Sequence, residues 1–309
     1  MPLDWFGMAS FADRLASGAI LVADGATGTN YQQMGLALGV APEEWVETDP
    51  AKVIGLHRAF IDAGADIILT DTFGGTSLRL RETRFAGRAS ELNRRAAQLA
   101  REAASRKAGV MVAGSMGPTG MLMAPFGELT PSMAAEVYAE QAAGLAEGGV
   151  DMLLLETFFA LDEALAAIDG VRRTTSLPLV VTFSFDQGTR TMMGLSPTHM
   201  MQAIAPLGVA AIGANCGRSL DDMEMVVREL AAQRHGVPLW IKPNAGLPRM
   251  VGDQARYDTT PAEMAEYTRR FIGTGAQIVG GCCGTSPEHL AEIARAARSA
   301  GVEPTRVGV

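Results

Sequence analysis

Several residue types are scarce in this 309-residue sequence, and each scarcity narrows the chemistry available to it. There are four histidines, four tyrosines and three cysteines. A cysteine nucleophile needs a base beside it. His57, His199, His235 and His289 all fall in segments of helical pattern, which disfavours a Cys–His hydrolase. An odd number of cysteines, Cys216, Cys282 and Cys283, with two of them adjacent, makes a poor disulfide framework. The chain has no basic block, carries a net charge of −8 and has few aromatic stacking platforms, so no nucleic-acid partner is expected. It also lacks an unbroken apolar run of membrane-spanning length, and no membrane association is expected. Met1 to Ser10 show none of the segments of a secretory signal, which points to the cytoplasm. Thiols in that reducing compartment stay free for metal binding or catalysis. With no Pro/Ser-rich linker, low-complexity tract or charge block, residues 1–309 read as one domain.

Eight short apolar runs alternate with longer segments of helical period. The runs are Ala19–Ala23, Asp66–Leu69, Val110–Ala113, Met152–Leu155, Leu179–Phe183, Ala210–Ala214, Leu239–Ile241 and Gln277–Val279. They are nearly continuous, as suits parallel strands covered on both faces. Helix starts are marked by a capping residue before proline in Asp49-Pro50, Thr130-Pro131, Ser196-Pro197, Thr260-Pro261 and Ser286-Pro287. Gly64, Gly148, Gly208, Gly236 and Gly301 suit left-handed helix ends. Eight such units predict a (β/α)8 TIM barrel, with an open doubly wound sheet as the alternative. Met1–Gly18 is expected to be a helix closing the barrel bottom.

Chemistry in such a barrel sits where strands end. Asp24-Gly25-Ala26-Thr27-Gly28-Thr29 follows the first run, and Gly114–Gly120, read as a tight rim loop, follows the third. Glu156-Thr157 ends the fourth, Asn215-Cys216-Gly217 the sixth, and Gly280-Gly281-Cys282-Cys283-Gly284 the eighth. All three cysteines therefore reach one rim, at strand ends separated by a single strand. Three thiolates there would form a catalytic zinc site with an open fourth position. Adjacent cysteines cannot both point inward from a regular strand, so Gly280, Gly281 and Gly284 are expected to let the backbone bend. Asp24 and Glu156 are carboxylates on apolar strand ends, where they can face a substrate ammonium. The backbone N–H groups of Gly25–Thr29 can take a carboxylate. Asp24, Gly25, Thr27, Ser115 and Glu156 form the expected substrate-binding set. Met121, Met123, Met192 and Met193 lie near the rim, either around a methyl group or as core filling.

The Asp24–Thr29 segment, Ala63-Gly64-Ala65-Asp66-Ile67-Ile68, Leu155-Glu156-Thr157, Gly213-Ala214-Asn215-Cys216 and Gly280-Gly281-Cys282-Cys283-Gly284-Thr285-Ser286-Pro287-Glu288-His289 resemble the homocysteine S-methyltransferase family. The resemblance covers almost the whole chain. It implies zinc on Cys216, Cys282 and Cys283, with Asn244 in the fourth position until the acceptor thiol of L-homocysteine displaces it. Asp24 and Glu156 would hold the amino group, and the backbone near Gly25 the carboxylate. Phe158 stands where betaine-using members carry a tyrosine, and Thr72-Phe73 runs into Gly74-Gly75 rather than an aromatic pair, although Trp45 could supply one wall of a cage. The Asp-x-His-x-x-Gly cobalamin signature is absent. The donor expected is a methyl-corrinoid on a separate protein. The alternatives are betaine, another onium compound or S-methylmethionine as donor, another thiol or selenol as acceptor, and a zinc-binding redox sensor with no enzymatic role.

Overall fold

The structure, a computed structural model, describes residues 9–251 and 254–300. Ten strands occur among them: β1 (Leu21–Val22), β2 (Ile67–Leu69), β3 (Met111–Met116), β4 (Met152–Phe158), β5 (Leu179–Phe183), β6 (Ala211–Cys216), β7 (Leu239–Pro243), β8 (Arg249–Val251), β9 (Gln254–Arg256) and β10 (Ala276–Val279). Eight form one parallel sheet in the order β1-β10-β7-β6-β5-β4-β3-β2. A bridge between Ala23 and Ile67 joins its two ends. The sheet is thus a nearly closed (β/α)8 barrel rather than the open alternative.

Aspartates reinforce the bottom of the barrel. Asp66 N–H donates to Val22 O at 2.7 Å, and the Asp66 carboxylate accepts from Val22 N–H at 2.9 Å. Asp151 repeats the pattern on Val112, at 2.8 and 2.7 Å. Each carboxylate thus satisfies a backbone donor that the short neighbouring strand would otherwise leave open.

Successive strand side chains point to opposite faces. Leu21, Ile67, Leu69, Met111, Met152, Leu154, Val180, Ala211, Trp240 and Ile278 form the barrel interior. Val22, Ile68, Val112, Leu153, Leu155, Val181, Ile212 and Ile241 pack outward, under the helices. Phe11 and Leu15, from the helix Phe11–Ala16, join the interior cluster from below, as expected of a barrel floor. Met1–Met8 lie outside the described residues.

Four of the five Ser/Thr/Asp-Pro starts carry a side-chain bond to the helix backbone. Asp49 does not, its side chain pairing instead with Lys52 at 2.9 Å. Gly64, Gly208 and Gly236 have positive φ as expected. After Pro131–Glu147 the left-handed residue is Gly149 (φ 89°) instead of Gly148, and Gly301 lies outside the described residues. His235 sits in the turn after the helix Leu220–Gln233 instead of within it. Strands β3, β4, β6 and β7 run past their apolar stretches, so Ser115, Glu156, Cys216 and Lys242 are strand residues, with Ser115, Cys216 and Lys242 in ladder register and Glu156 at the irregularity between Leu155 and Phe158. The antiparallel β8–β9 hairpin was not anticipated. No helix of the described residues is long and apolar enough to cross a membrane.

The floor rests on one aromatic ring. Phe11→Ala is expected to lower stability by about 3–4 kcal/mol, the usual cost of emptying a buried phenylalanine site, in urea unfolding followed by circular dichroism.

Candidate active site

Counting by two up the barrel interior passes from apolar layers to a polar one. From Ala113 the count reaches Ser115, from Leu154 Glu156, and from Val180 Thr182. From Ala211 it reaches Asn215, and from Trp240 Lys242. A cavity of about 590 Å³ opens above this layer. Its walls include Gly25, Ala26, Thr27, Asp71, Phe73, Ser115, Glu156, Lys242 and all three cysteines.

The three sulfur atoms lie within 4.8 Å of one another, with Cys216 Sγ and Cys282 Sγ 3.1 Å apart. Cys216 takes a left-handed conformation (φ 60°), which turns its side chain away from strand parity. Cys282 N–H donates to Pro243 O at 2.8 Å, seating the second cysteine loop on the end of β7. Of the glycines expected to bend this loop, only Gly284 has positive φ (82°), and a Cβ there would meet the Tyr257 ring at 2.2 Å. Gly280 and Gly281 act through lack of bulk instead. A Cβ on Gly280 would lie 2.7 Å from Ala23 O, and one on Gly281 2.4 Å from Thr285.

Asn215 ties the sulfurs to the barrel. Its Oδ1 accepts from Thr157 N–H at 2.8 Å and from the Thr182 hydroxyl at 2.6 Å. Its Nδ2 donates to Thr157 Oγ1 at 2.7 Å and to Cys216 Sγ at 3.4 Å. These bonds hold Thr157, itself at φ 66°, in a conformation uncommon for a non-glycine residue. Asn244 spans the two cysteine loops. Its Nδ2 donates to Gly217 O at 2.9 Å, and its Oδ1 accepts from Cys283 N–H at 3.0 Å.

Asp24 and Glu156 are both buried and differ in their partners. Asp24 accepts from Lys242 Nζ at 2.7 Å on one oxygen and from Leu69 N–H at 2.7 Å on the other. Glu156 accepts a hydrogen bond from the Ser115 hydroxyl. Burial pushes the Glu156 carboxyl up to about 7, with Lys242 opposing and Cys282 and Asp24 adding to the rise. Burial disfavours the Lys242 ammonium, but Asp24 and Glu156 outweigh it and raise its pKa above the ordinary value. Gly25 and Thr27 face the cavity at the start of the helix Gly28–Gln33, whose first turn has no side-chain cap.

The thiols share their charge unequally. Hydrogen bonds with Cys282 and Cys283, then burial, push the Cys216 thiol well above its usual value. At Cys282 the bond with Cys216 favours the thiolate, but the bond with Cys283 and burial prevail and push it up to about 12. Hydrogen bonds from Cys216 and Cys282, with Tyr257 adding, hold Cys283 well below the usual range. Of the three thiols, Cys283 alone is shifted toward the thiolate. Ionising all three sulfurs at this separation calls for a cation among them, and the donor set fits a thiophilic metal.

The four rim methionines do not line the cavity. Met121 and Met123 pack on the core, whereas Met192 and Met193 are exposed. Trp45 is buried against Tyr31 at a ring separation of 4.6 Å and supplies no cavity wall. Lys242, Asn215 and Tyr257 carry roles that the sequence reading did not assign. For the first two, the count of two from the apolar layers was the available signal. The cavity walls also include Glu43 and Asp71, both buried and both shifted upward, by burial first and then, for Asp71, by the charge of Glu43.

Fold and site together define a parallel barrel with a metal-competent thiol cluster at the mouth. A family model described as homocysteine S-methyltransferase matches residues 21–297, and the chain belongs to that family of methyltransferases. It is 33% identical over 293 residues to a methionine synthase of Mycobacterium leprae (strain TN). It is 34% identical over 296 residues to a methionine synthase of Mycobacterium tuberculosis (strain ATCC 25618 / H37Rv). Each alignment takes in 90% of this chain but 24% of the relative, so the chain spans about a quarter of those proteins. The metallated form of the homocysteine methyltransferase MmuM from Escherichia coli superposes with a TM-score of 0.76 at 21% identity, over 91% of this chain and 97% of that one. At that identity the likeness speaks for the fold.

Asn215→Ala would release both Thr157 and the sulfurs. Zinc affinity, measured by competition with a chromophoric chelator, is expected to fall about 10- to 100-fold, the usual effect of losing a group that orients metal ligands.

Proposed function

We propose that this chain transfers a methyl group to the thiol of L-homocysteine, giving methionine, with a methyl-corrinoid on a separate protein as donor. One observation carries the reading: three sulfurs converge in a cavity that also presents Glu156, Lys242, whose ammonium pairs with Asp24, and the uncapped helix start at Gly28. Cys216, Cys282 and Cys283 would hold zinc, which supplies a centre that ionises a bound thiol at neutral pH. The buried carboxylates supply the negative side of an amino-acid pocket. The backbone at Gly25 and Thr27 supplies the side that meets the substrate carboxylate. Asn244 in the fourth metal position would share its amide oxygen with the Cys283 N–H that it now accepts. Its bonds to both cysteine loops also suit a brace that keeps the three sulfurs together.

The protein donor is supported by the surface around the mouth. Leu38, Phe126, Met192, Leu247 and Met250 stand exposed on four different rim loops, with Phe126 at 78%. They lie in segments that follow strand ends, the side of the barrel on which the cavity sits, and exposed apolar side chains on one side suit a docking face. Both mycobacterial methionine synthases are also about four times longer than the segment matched here. A second reading, an onium donor such as S-methylmethionine or betaine, is favoured by Glu43, Asp71 and Phe73 in the cavity wall.

Zinc X-ray absorption of the reduced protein is expected to show three sulfurs and one lighter ligand, becoming four sulfurs with L-homocysteine. A coordination sphere blind to homocysteine would remove the proposed acceptor. Methionine formation from methylcobalamin, S-methylmethionine and betaine in parallel separates the donors.

The pH dependence follows from Glu156. Its carboxyl, pushed up to about 7, is protonated below that pH and cannot then pair with an ammonium. L-methionine, which brings no thiol to titrate, should bind about tenfold more weakly per unit of pH below 7, and above it its affinity should level off until its own ammonium loses its proton. Glu156→Gln should flatten that profile in calorimetric titrations.

A further inference from the structure

Two segments far apart in sequence are joined beside the cavity by a seam of hydrogen bonds. Ala26 N–H donates to Thr285 Oγ1 at 3.1 Å and to Thr285 O at 3.3 Å. Asn30 Nδ2 donates to Ala26 O at 2.6 Å and to Thr285 O at 2.9 Å. Gly284 N–H donates to Thr29 Oγ1 at 3.2 Å. The Thr285 hydroxyl itself donates to Cys282 O at 2.6 Å. Thr285 is fully buried, wedged where a Cβ on Gly25 would lie 3.0 Å from its hydroxyl oxygen and one on Gly281 2.5 Å from it. Gly25, Ala26, Thr27 and Thr29 line the cavity from one side of the seam, and Gly281, Cys282 and Cys283 from the other.

We infer that Thr285 is a positioning residue that ties the loop meeting the acceptor's carboxylate to the loop carrying two of the metal-binding sulfurs, so that filling one site braces the other. This rests on the proposed reading of the cavity as an amino-acid thiol site. A hydroxyl has one proton to give and lone pairs to accept with. Giving the proton to Cys282 O leaves the oxygen to accept the Ala26 N–H, so one atom joins both loops in a directed chain whose bonds polarise one another. Ala26 stands between Gly25 and Thr27, whose backbone would take the carboxylate, and its own N–H is already spent on Thr285. A carboxylate seated on those neighbours fixes the peptide that carries the Ala26 N–H. A metal held by Cys282 would fix the residue whose carbonyl ends the chain. Each ligand thus orders part of what the other must order, and the second to bind loses less conformational freedom. Such coupling is reciprocal: the factor by which the metal raises the affinity for the amino acid is the factor by which the amino acid raises the affinity for the metal.

The test uses L-2-aminobutyrate, which is homocysteine without its sulfur and offers a metal no thiol. Its affinity is measured by calorimetry for the metal-free and for the zinc-loaded protein, with no turnover. In wild-type protein zinc should tighten its binding about fivefold, the lower end of usual couplings between two sites. Thr285→Val keeps the shape and removes the hydroxyl. Cys282 O then still has the backbone N–H of position 285, 3.1 Å away, and Ala26 N–H still has the carbonyl of that position, 3.3 Å away, so neither group is left unpaired. In this variant zinc should change the affinity by less than about twofold, and Thr285→Ser should retain the wild-type factor. A merely structural role would lower both affinities and leave their ratio alone. A wild-type ratio that survives Thr285→Val overturns the inference, as does a ratio close to one in wild-type protein or a loss of coupling in Thr285→Ser. If Thr285→Val does not fold, hydrogen exchange of the metal-free wild-type protein decides. L-2-aminobutyrate should slow exchange of the amides from Cys282 to Thr285 about fivefold, and unchanged exchange there overturns the inference. Failure of L-2-aminobutyrate to bind wild-type protein in either state overturns the reading of the cavity itself, and the inference with it.

Discussion

The constraint on which the molecule depends is the strict alternation of side chains along a paired parallel strand. Ladder pairing carries β3, β4, β6 and β7 beyond their apolar stretches, so the alternation that sorts aliphatic residues between barrel and helices also aims the polar ones. Met152, Leu154 and Glu156 are three steps of one inward row; Ala211, Gly213 and Asn215 are another. A one-residue slip in any strand would send its polar group under the helices. The cavity is therefore specified by the packing below it.

Departures from that order cluster at the sulfurs. Thr157 and Cys216 lie in the left-handed region, each costing on the order of 1–3 kcal/mol. Asn215 bonds to the first and touches the sulfur of the second, and so stabilises both. This arrangement lets a cysteine on β6 and two consecutive residues after β10 point at one place, which regular strands cannot achieve.

Much of this was legible in the sequence, and the remainder failed for identifiable reasons. Parallel strands buried on both faces read as apolar runs, so the barrel and the common rim of the cysteines followed from the order of those runs. The polar ends of the same strands broke the runs and read as loops, which hid the strand positions of Ser115 and Lys242. Lys242 stood in plain view in Lys-Pro-Asn-Ala-Gly, yet its partner Asp24 is 218 residues away, and no local pattern reports such a pairing. The β8–β9 hairpin had a local signal in the Gly252-Asp253 pair between short β-prone stretches, which the helix start at Pro261 overshadowed. The methionines misled because position near the rim does not tell a cavity wall from the outer surface.

Phe11 and Leu15 close the barrel from beneath, so among the described residues the cavity opens on the side of the strand ends. Traffic through a single doorway is sequential. The molecule seated deepest has to arrive before anything that covers the opening, and it leaves only after that cover is lifted. If two substrates share this passage, as the proposed function requires, the one seated deepest would enter first and its product would leave last. The plugged end of the barrel would thereby bear on the order of events at the other end.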